Sequence, residues 1–543
     1  MELSRRQVIL SGAFVFASAT LAGCTPQGTP TAASKSPGVQ NATVKDVVYA
    51  QSVQITSLAT AGTQPQVYPA GYEAAFAIHS GLIRFNKDLG FEPDLAEKWS
   101  VSDDGRTWTF NLRNGVKFHD GSPFNADAVV AYFTKMIDNT YNLSAYSLWS
   151  AIQSTTKADE NTVTVVTSKP YGAMLNTLAH GSGLIPSAAL TAQGPAAAAL
   201  NPIGTGAYKV TTFEPGSKLV VKANPDYYGT MPVYDSITYT YVGDSAGRMA
   251  ALQAGQANIV DAVPVEQVKA LSTAKGVKII NIPGLQCFGI GLNQTNPILQ
   301  DSDVRQALNL AVDVESIIAA LFRGYATALT SPLAPKTNGY SKCGPNAYDL
   351  AKAKTLLKKA GLVEGKDGMF TKNGVPVSFR LRTPDGMYPN DTLVAQAIQE
   401  QLKKAGIAVV IQKVDKATFW DGIKVAKAAV DFDMALFGFN PSHGSGALQL
   451  DIMYTSNANT GKVPGWNFNW YSNSKVDGLL AKALQTVVPA DQNKVLAEAG
   501  QQIWDDAPYI WLYVRNNISA YDAKAATPLV LPVVFTLPSR SAS

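Results

Sequence analysis

Alternating apolar and polar residues mark a β-hairpin about a hundred residues into the chain. The apolar positions on the two sides of a central turn are Trp99, Val101, Trp108, Phe110 and Leu112. Period-two alternation is typical of strands with one buried face, and Asp104-Gly105 favours a tight turn because glycine tolerates a positive φ. The pattern predicts a hairpin, and the helical spacing of 126–137 predicts a helix after it.

The same patterning predicts elements along the rest of the chain. A strand–helix–strand run over Phe379–Arg382, Asp391–Ala405 and Val409–Val414 indicates an α/β region with parallel pairing. The other predicted strands are Val44–Val53, Asn161–Thr167, Phe288–Asn293 and Tyr509–Tyr513. The other predicted helices are Ala188–Leu200, Asp303–Asp313, Asp349–Gly361 and Gln492–Trp504.

The N-terminus has the pattern of an export signal. Arg5-Arg6 precedes a short apolar run, and Leu21-Ala22-Gly23-Cys24 matches a bacterial lipobox. We expect a signal peptide over 1–23, lipidation of Cys24 and a flexible tether over 24–43, which is rich in Thr, Ser, Ala, Pro and Gly. The protein would then sit on the outer face of the cytoplasmic membrane, as a periplasmic or cell-surface lipoprotein, exported by the Sec or the twin-arginine route.

Composition narrows the function classes. The chain has 543 residues, of which 16% are charged, and a formal net charge of +4. Such a small, dispersed charge disfavours nucleic-acid binding, which uses a clustered basic face. No stretch after the export signal is apolar enough to predict a transmembrane helix.

Two cysteines remain beyond Cys24. Cys287 and Cys343 fall in one predicted lobe, and in an exported protein they can form a disulfide. The alternative is two separate buried thiols.

Catalytic motifs are missing. His180-Gly181-Ser182-Gly183 and His443-Gly444-Ser445-Gly446 lack the spacing of a Gly-x-Ser-x-Gly nucleophile elbow, and there is no His-Glu-x-x-His. The four histidines are isolated in the sequence. We expect no enzyme, no metal site and no cofactor; a surface hydrolase is the disfavoured alternative.

Several separated motifs together point to one family. Asn201 to Tyr208 and Ala223 to Tyr228 follow the hairpin block Gly81 to Gly121, and Asp303 to Asp313 and Tyr348 to Leu357 come later. In this order they resemble the peptide/nickel-type solute-binding proteins of ABC importers, family 5. The resemblance implies an α/β, two-lobed periplasmic-binding-protein-like fold, with mixed sheets flanked by helices and an extra subdomain in lobe one.

The resemblance also implies a division of the mature chain. Lobe one would span 44–285 with a subdomain inserted at about 82–199, and lobe two 286–508. The segment 509–537 would return to lobe one, and 538–543 would be a tail.

In this family a loop after a strand of lobe two contributes to the ligand site. Here the strand is Asp431–Gly438, and the loop lacks the Asp-Pro whose carboxylate holds a peptide amine in many members. Aromatic and amide groups suit blocked peptides, sugars or a chelate. Trp466, Phe468 and Trp470 could instead be the buried face of a strand. The candidate ligand-binding residues are Gln54, Tyr68, Arg382, Phe439, Asn440, His443, Trp466, Asn467 and Asn469.

The expected function is capture of a short peptide between two lobes and its delivery to an ABC permease and its ATPase subunits. An oligosaccharide or a nickel chelate is the alternative ligand; for the chelate, His443 would complete the coordination, since imidazole suits nickel. We expect a monomer that touches the membrane only through its lipid anchor.

Overall fold

The computed structural model describes residues 44–61, 70–138, 146–344, 347–456, 465–525, 528–532 and 535–541. Cys24 and Tyr68, and with them the predicted signal peptide and tether, lie outside these residues. None of the helices in these ranges is long and apolar enough to cross a membrane.

Strands and helices alternate along most of the described chain. The strands are β1 (Asp46–Gln51), β2 (Ile83–Phe85), β3 (Phe91–Pro93), β4 (Ala96–Val101), β5 (Thr107–Leu112), β6 (Ile152–Asp159), β7 (Thr162–Thr167), β8 (Tyr208–Glu214), β9 (Lys218–Ala223), β10 (Ser236–Tyr241), β11 (Ile259–Val260), β12 (Val277–Leu292), β13 (Ala326–Ala328), β14 (Val363–Glu364), β15 (Phe370–Lys372), β16 (Val375–Pro376), β17 (Ser378–Pro384), β18 (Ala408–Val414), β19 (Met434–Phe439), β20 (Tyr509–Asp522), β21 (Pro528–Leu531) and β22 (Phe535–Ser541). The helices are α1 (Ala70–Ile78), α2 (Ala126–Ile137), α3 (Tyr146–Trp149), α4 (Met174–Ala179), α5 (Ala188–Gln193), α6 (Pro195–Leu200), α7 (Ser245–Gln253), α8 (Val265–Thr273), α9 (Ser302–Leu310), α10 (Val314–Phe322), α11 (Leu350–Lys359), α12 (Asp391–Lys404), α13 (Lys416–Ile423), α14 (Gly446–Tyr454), α15 (Ser474–Gln485) and α16 (Pro489–Asp506).

One large mixed sheet runs through both lobes in the order β18-β17-β19-β12-β20-β11-β1-β10-β9-β8, and β13 also pairs with β20. The predicted parallel pairing is confirmed, since β17 lies parallel to β18 and to β19. Helices α9 to α12 pack on the second-lobe strands, and α1 packs on the first-lobe strands β1, β9 and β10. The predicted α/β class, with mixed sheets flanked by helices, is therefore confirmed.

Two long strands connect the lobes. β12 and β20 pair antiparallel from Val277 opposite Asp522 to Gly291 opposite Tyr509. The pairing is irregular between Pro283 and Gly289. On one side of this irregularity β20 pairs with β11 of the first lobe, and on the other β12 pairs with β19 of the second.

The predicted hairpin forms one edge of a separate four-stranded sheet in the order β4-β5-β7-β6. Gly105 turns it with a φ of 69°, and Trp108, Phe110 and Leu112 are buried as the alternation predicts. Helix α2 has the predicted bounds because Asn125 caps it by accepting a hydrogen bond from the Ala128 N–H.

Some predicted bounds were wrong. The helix predicted over 188–200 is two helices, because Gly194 adopts a φ of 89° that helical residues do not have. The strand predicted from Phe288 begins at Val277, because its first half pairs with β20 although its sequence lacks a clear alternation.

A buried arginine gives the motif from Asp303 to Asp313 a structural role. Arg305 on α9 is 5% exposed, and its guanidinium donates to the carbonyls of Leu299 and Gln300 and to that of Asp506, at 2.8 to 2.9 Å. It thereby joins the start of α9 to the end of α16, where helix carbonyls lack partners within the helix.

We predict that Arg305→Ala lowers the free energy of unfolding by about 3 kcal/mol, because three buried carbonyls lose a charged donor. Its neighbour Gln306 is the matched control: Gln306→Ala removes one exposed hydrogen bond to Asp505 and should cost less than about 1 kcal/mol. Urea titration measures both, and equal losses would contradict this role of Arg305.

Candidate functional site

The loop after β19, residues 440–446, lies against the first lobe. The side-chain amide of Asn176 on α4 donates to the His443 carbonyl at 2.9 Å. His180, which follows α4, places its Nε2 3.2 Å from the Ser442 hydroxyl oxygen. The loop that the sequence indicated for ligand contact therefore lies where the two lobes touch. We call this contact, between residues 440–446 and the segment from Asn176 to His180, the seam.

The β2–β3 hairpin makes a second contact across the seam. Lys336 Nζ lies 3.6 Å from a carboxylate oxygen of Asp88 at the hairpin tip. Asn338 donates its side-chain amide to the Leu89 carbonyl at 3.4 Å, and its own backbone bonds to Gly444 and Gly446. The hairpin and the 440–446 loop are thus joined through one second-lobe segment.

Two neutral histidines meet at this seam. His443 is 5% exposed, and its Nδ1 accepts from the Ser445 N–H at 3.1 Å, so the neutral ring carries its proton on Nε2. That Nε2 has no hydrogen-bond partner among the residues that the structure describes. Burial, with a smaller contribution from nearby His180, lowers the pKa of His443 to about 3. Burial also lowers the pKa of His180 to about 4.

A small cavity of about 20 Å³ lies beside the seam in the second lobe, room for about one water. Phe437 and Phe439 from β19 line it together with Tyr454, Tyr509 and Gln449. Within the described ranges, the Tyr509 hydroxyl and the Gln449 side-chain oxygen have no hydrogen-bond partner although both are buried. Buried polar atoms without partners are rare and costly in folded proteins, so this cavity has unused capacity to bind polar groups.

A cationic side chain lies on the other face of this part of the sheet. The Arg515 guanidinium on β20 lies 5.2 Å from the ring centroid of Phe288. Phe288 packs with Tyr513 in the second-lobe core, whereas Tyr509, Phe437 and Phe439 belong to the core cluster that also includes the β2–β3 hairpin. Within the part of the chain that the structure describes, Arg515 forms no ion pair, and its buried Nε has no acceptor. Burial lowers the pKa of Arg515. This charge lies near the irregular stretch of the β12–β20 pairing, where Cys287 is opposite Val514.

The second aromatic cluster is a turn and not the strand that we weighed in the sequence. Trp470 has a φ of 57°, and residues 467–470 are all buried. Asn467 donates to the carbonyls of Thr455 and Tyr471, and Asn469 donates to that of Pro508. Both amides hold the turn, which explains why two polar residues are fully buried.

Trp466 lies at the edge of this turn, in an aromatic group. Its ring centroid is 5.9 Å from that of Phe437 and 5.7 Å from that of Phe439. Lys424 places its ammonium 4.0 Å from the Trp466 ring centroid, within cation–π range. Trp466 is half-buried and extends the aromatic surface of β19.

The remaining residues singled out in the sequence lie apart from the seam. Arg382 is buried and pairs with Asp431 at 3.0 Å while donating to the Thr418 carbonyl, so its charge is already used. Gln54 is exposed, beside Gly216. The structure gives Cys287 and Cys343 as free thiols: Cys287 lines the small cavity, and Cys343 lies beside Ser331.

Several residues at or near the candidate site were not predicted from the sequence: Asn176, His180, Ser442, Gln449, Tyr509 and Arg515. His180 was considered only as a failed hydrolase motif, and nothing in its local sequence indicates a contact with Ser442, 262 residues away. The others carry no local signal, because the sheet topology alone brings them together.

We predict that acid destabilises the fold through these histidines. An unfolded histidine has a pKa near 6.5, so between pH 7 and 5 the unfolded chain binds protons that buried His443 does not. Each such histidine should lower the free energy of unfolding by about 2 kcal/mol over this range. In urea titrations His443→Gln should reduce this pH dependence, and Gln306→Ala should not; an unchanged pH slope in His443→Gln would contradict the prediction.

Comparisons with known proteins identify the family of this chain. A sequence profile described as "Bacterial extracellular solute-binding proteins, family 5 Middle" matches residues 90–461. The glutathione-binding protein GsiB of Pectobacterium atrosepticum is 32% identical over 507 residues, which cover 91% of this chain and 95% of that protein.

Solved structures show the same fold. The oligopeptide-binding protein AppA of Bacillus subtilis, in complex with a nonapeptide, superposes with a TM-score of 0.71 at 27% identity, over 88% of this chain and 95% of that one. NikZ of Campylobacter jejuni, in complex with Ni(L-His), does so with a TM-score of 0.73 at 26% identity, over 88% and 94%. The chain therefore belongs to the family 5 extracellular solute-binding proteins of ABC importers, which are binding proteins and not enzymes.

Proposed function

We propose that this protein captures a short, anionic peptide of the glutathione class between its lobes and delivers it to an ABC permease and its ATPase subunits. The observation that carries the proposal is the guanidinium of Arg515, which forms no ion pair among the described residues and lies against Phe288 near the irregular stretch between the lobes. A partly buried charge without a partner is costly, and a ligand carboxylate would compensate it.

The charge of the site separates the ligand classes. Glutathione carries two carboxylates and one amine, so it offers an anion to Arg515. A neutral oligosaccharide would leave Arg515 unpaired. The similarity to glutathione-binding proteins over most of the chain supports the peptide class.

The second-lobe loop does not offer a carboxylate for the free amine of an ordinary peptide. Of the two acids that flank Phe432, Asp431 pairs with Arg382 and Asp433 with Arg380. With no acid between Phe439 and Gly446, the ligand amine would need an anchor elsewhere. We propose that Phe439, Asn440, His443 and Trp466 contact the ligand, and that Asn467 and Asn469 hold the turn beside it.

Nickel chelates are the second candidate, because NikZ was solved with Ni(L-His) and the Nε2 of His443 has no partner among the described residues. That atom would bind a metal only after the ring proton leaves it, since Nδ1 accepts from the Ser445 N–H. Among the described residues no group of three or more potential metal-ligating side chains occurs. A metal would therefore have to arrive already chelated, with His443 as its protein ligand.

The proposed function includes anchoring of the protein to the membrane by a lipid. We propose that 1–23 is removed as a signal peptide after export by the Sec or twin-arginine route, that Cys24 is lipidated, and that 24–43 tethers a monomeric receptor at the outer face of the membrane. The lipobox pattern at Leu21–Cys24 supports this.

We predict that the chain from residue 44 onward binds glutathione in isothermal titration calorimetry, and that Arg515→Gln weakens this binding about 10- to 100-fold, because the ligand carboxylate loses its partner. Arg380→Gln is the matched control, since Arg380 already pairs with Asp433, and should bind as the unmodified chain does.

Titrations with maltotriose and with a nickel–histidine complex test the alternatives. Binding of maltotriose without binding of glutathione would overturn the peptide proposal. Binding of the nickel complex that His443→Ala abolishes would replace it with the chelate.

We also predict that Tyr509→Phe does not lower the free energy of unfolding, because it removes a buried hydroxyl that has no partner among the described residues. Tyr171→Phe should lower the free energy of unfolding by about 1 kcal/mol, since that buried hydroxyl donates to the Leu148 carbonyl. Urea titration of both variants gives the comparison, and equal losses would contradict the prediction.

A further inference from the structure

A second and much larger cavity lies in the first lobe. Its volume is about 760 Å³, and it shares no lining residue with the small cavity at the seam. The β2–β3 hairpin forms one wall, and the segment Tyr227–Val233 forms another. Nothing in the ligand capture proposed above uses this space.

Positively and negatively charged side chains of the β2–β3 hairpin line this cavity. Lys87 is exposed and forms no ion pair within the described ranges. Arg84 pairs with Glu92 at 3.3 Å, and both side chains are more than a third exposed. Exposed pairs of this kind contribute little to stability, so both groups stay available to a ligand. An ammonium and a carboxylate thus face the same cavity from one short hairpin.

The other wall is aromatic and well ordered by hydrogen bonds. The Tyr228 hydroxyl donates to a carboxylate oxygen of Asp94 at 2.5 Å and lies 2.9 Å from the Ser80 hydroxyl oxygen. Tyr227, Phe76 and the exposed Met231 add apolar surface.

A buried polar group also lines the cavity. His79 is 2% exposed, and neither of its ring nitrogens makes a hydrogen bond of good geometry within the described part of the chain. Burial, with a smaller contribution from nearby His119, lowers the pKa of His79 to about 3, and the nearby backbone of Ile185 only partly opposes this shift. The histidine is therefore neutral and can donate or accept one hydrogen bond without a charge penalty.

We propose that this cavity is a second binding site, and that it takes a small zwitterion with an aromatic or apolar side group, such as a free amino acid. Lys87 would bind the carboxylate, Glu92 the ammonium, and the Tyr227–Tyr228 wall the side group. A simple anion would leave Glu92 unused, and a neutral sugar would use neither charge.

The β2–β3 hairpin that lines this site also contacts the second lobe. Its tip crosses the seam, through Asp88 to Lys336 and through the Leu89 carbonyl to Asn338. A zwitterion held on one face of the hairpin would therefore act on the segment that contacts the 440–446 loop.

The test uses L-phenylalanine as the probe, titrated by calorimetry into the chain from residue 44 onward. L-Phenylalaninamide lacks the carboxylate and N-acetyl-L-phenylalanine lacks the ammonium, so each should bind at least about fivefold more weakly than the zwitterion. Lys87→Ala should weaken L-phenylalanine about fivefold or more and leave the amide unchanged. Glu92→Gln should weaken L-phenylalanine and leave the N-acetyl compound unchanged.

Lys352→Ala is the matched control, an exposed lysine on α11, and should bind L-phenylalanine normally. Absence of saturable L-phenylalanine binding would overturn the proposal. Binding that Lys87→Ala and Glu92→Gln leave intact would also overturn it, since the amino acid would then occupy a different place, such as the seam. Because glutathione binding is measured with Arg515→Gln, failure of one proposal is distinguishable from failure of the other.

Discussion

The antiparallel pairing of β12 with β20 is the constraint on which the other features depend. These two strands continue one sheet from the first lobe into the second, and their register is interrupted only between Pro283 and Gly289. Backbone hydrogen bonds hold each half of the pair in its own lobe, and the irregular stretch between them has the fewest such bonds. Bending at that stretch would change the distance between the lobes without breaking either half of the sheet.

The same strands also supply residues of the candidate site. Cys287 of β12 and Tyr509 of β20 lie on one face of the sheet, and Arg515 of β20 lies on the other. Several of these polar groups lack partners among the described residues, and the two histidines at the seam are held neutral by burial. Folding alone gains nothing from such groups, and proteins concentrate unsatisfied polar atoms where a ligand will meet them. These groups support the proposal that a polar ligand binds at the seam.

Local patterns in the sequence were sufficient for much of the fold. The hairpin at Gly105, the Asn125-capped helix and the parallel run from Phe379 all depend on neighbours within a few residues, so periodicity and capping predict them. The alternation of Trp466, Phe468 and Trp470 indicated a strand that the structure does not have. The segment is a turn with a positive φ at Trp470, which buries consecutive residues and in which the asparagine side chains donate hydrogen bonds to backbone carbonyls. Arg515 and His180 could not be identified, since their surroundings come from residues hundreds of positions away. The loop 440–446 was found because the family resemblance, and not any local pattern, indicated it.

Native mass spectrometry of the protein purified gently from its own host tests the central claim most directly. A receptor that closes over an anionic peptide should retain it, and the bound mass should fragment into amino acids, with less of it retained by Arg515→Gln. A ladder of hexose units, or a metal isotope pattern, in the bound mass would contradict the account, because neither ligand needs the Arg515 guanidinium, which forms no ion pair among the described residues.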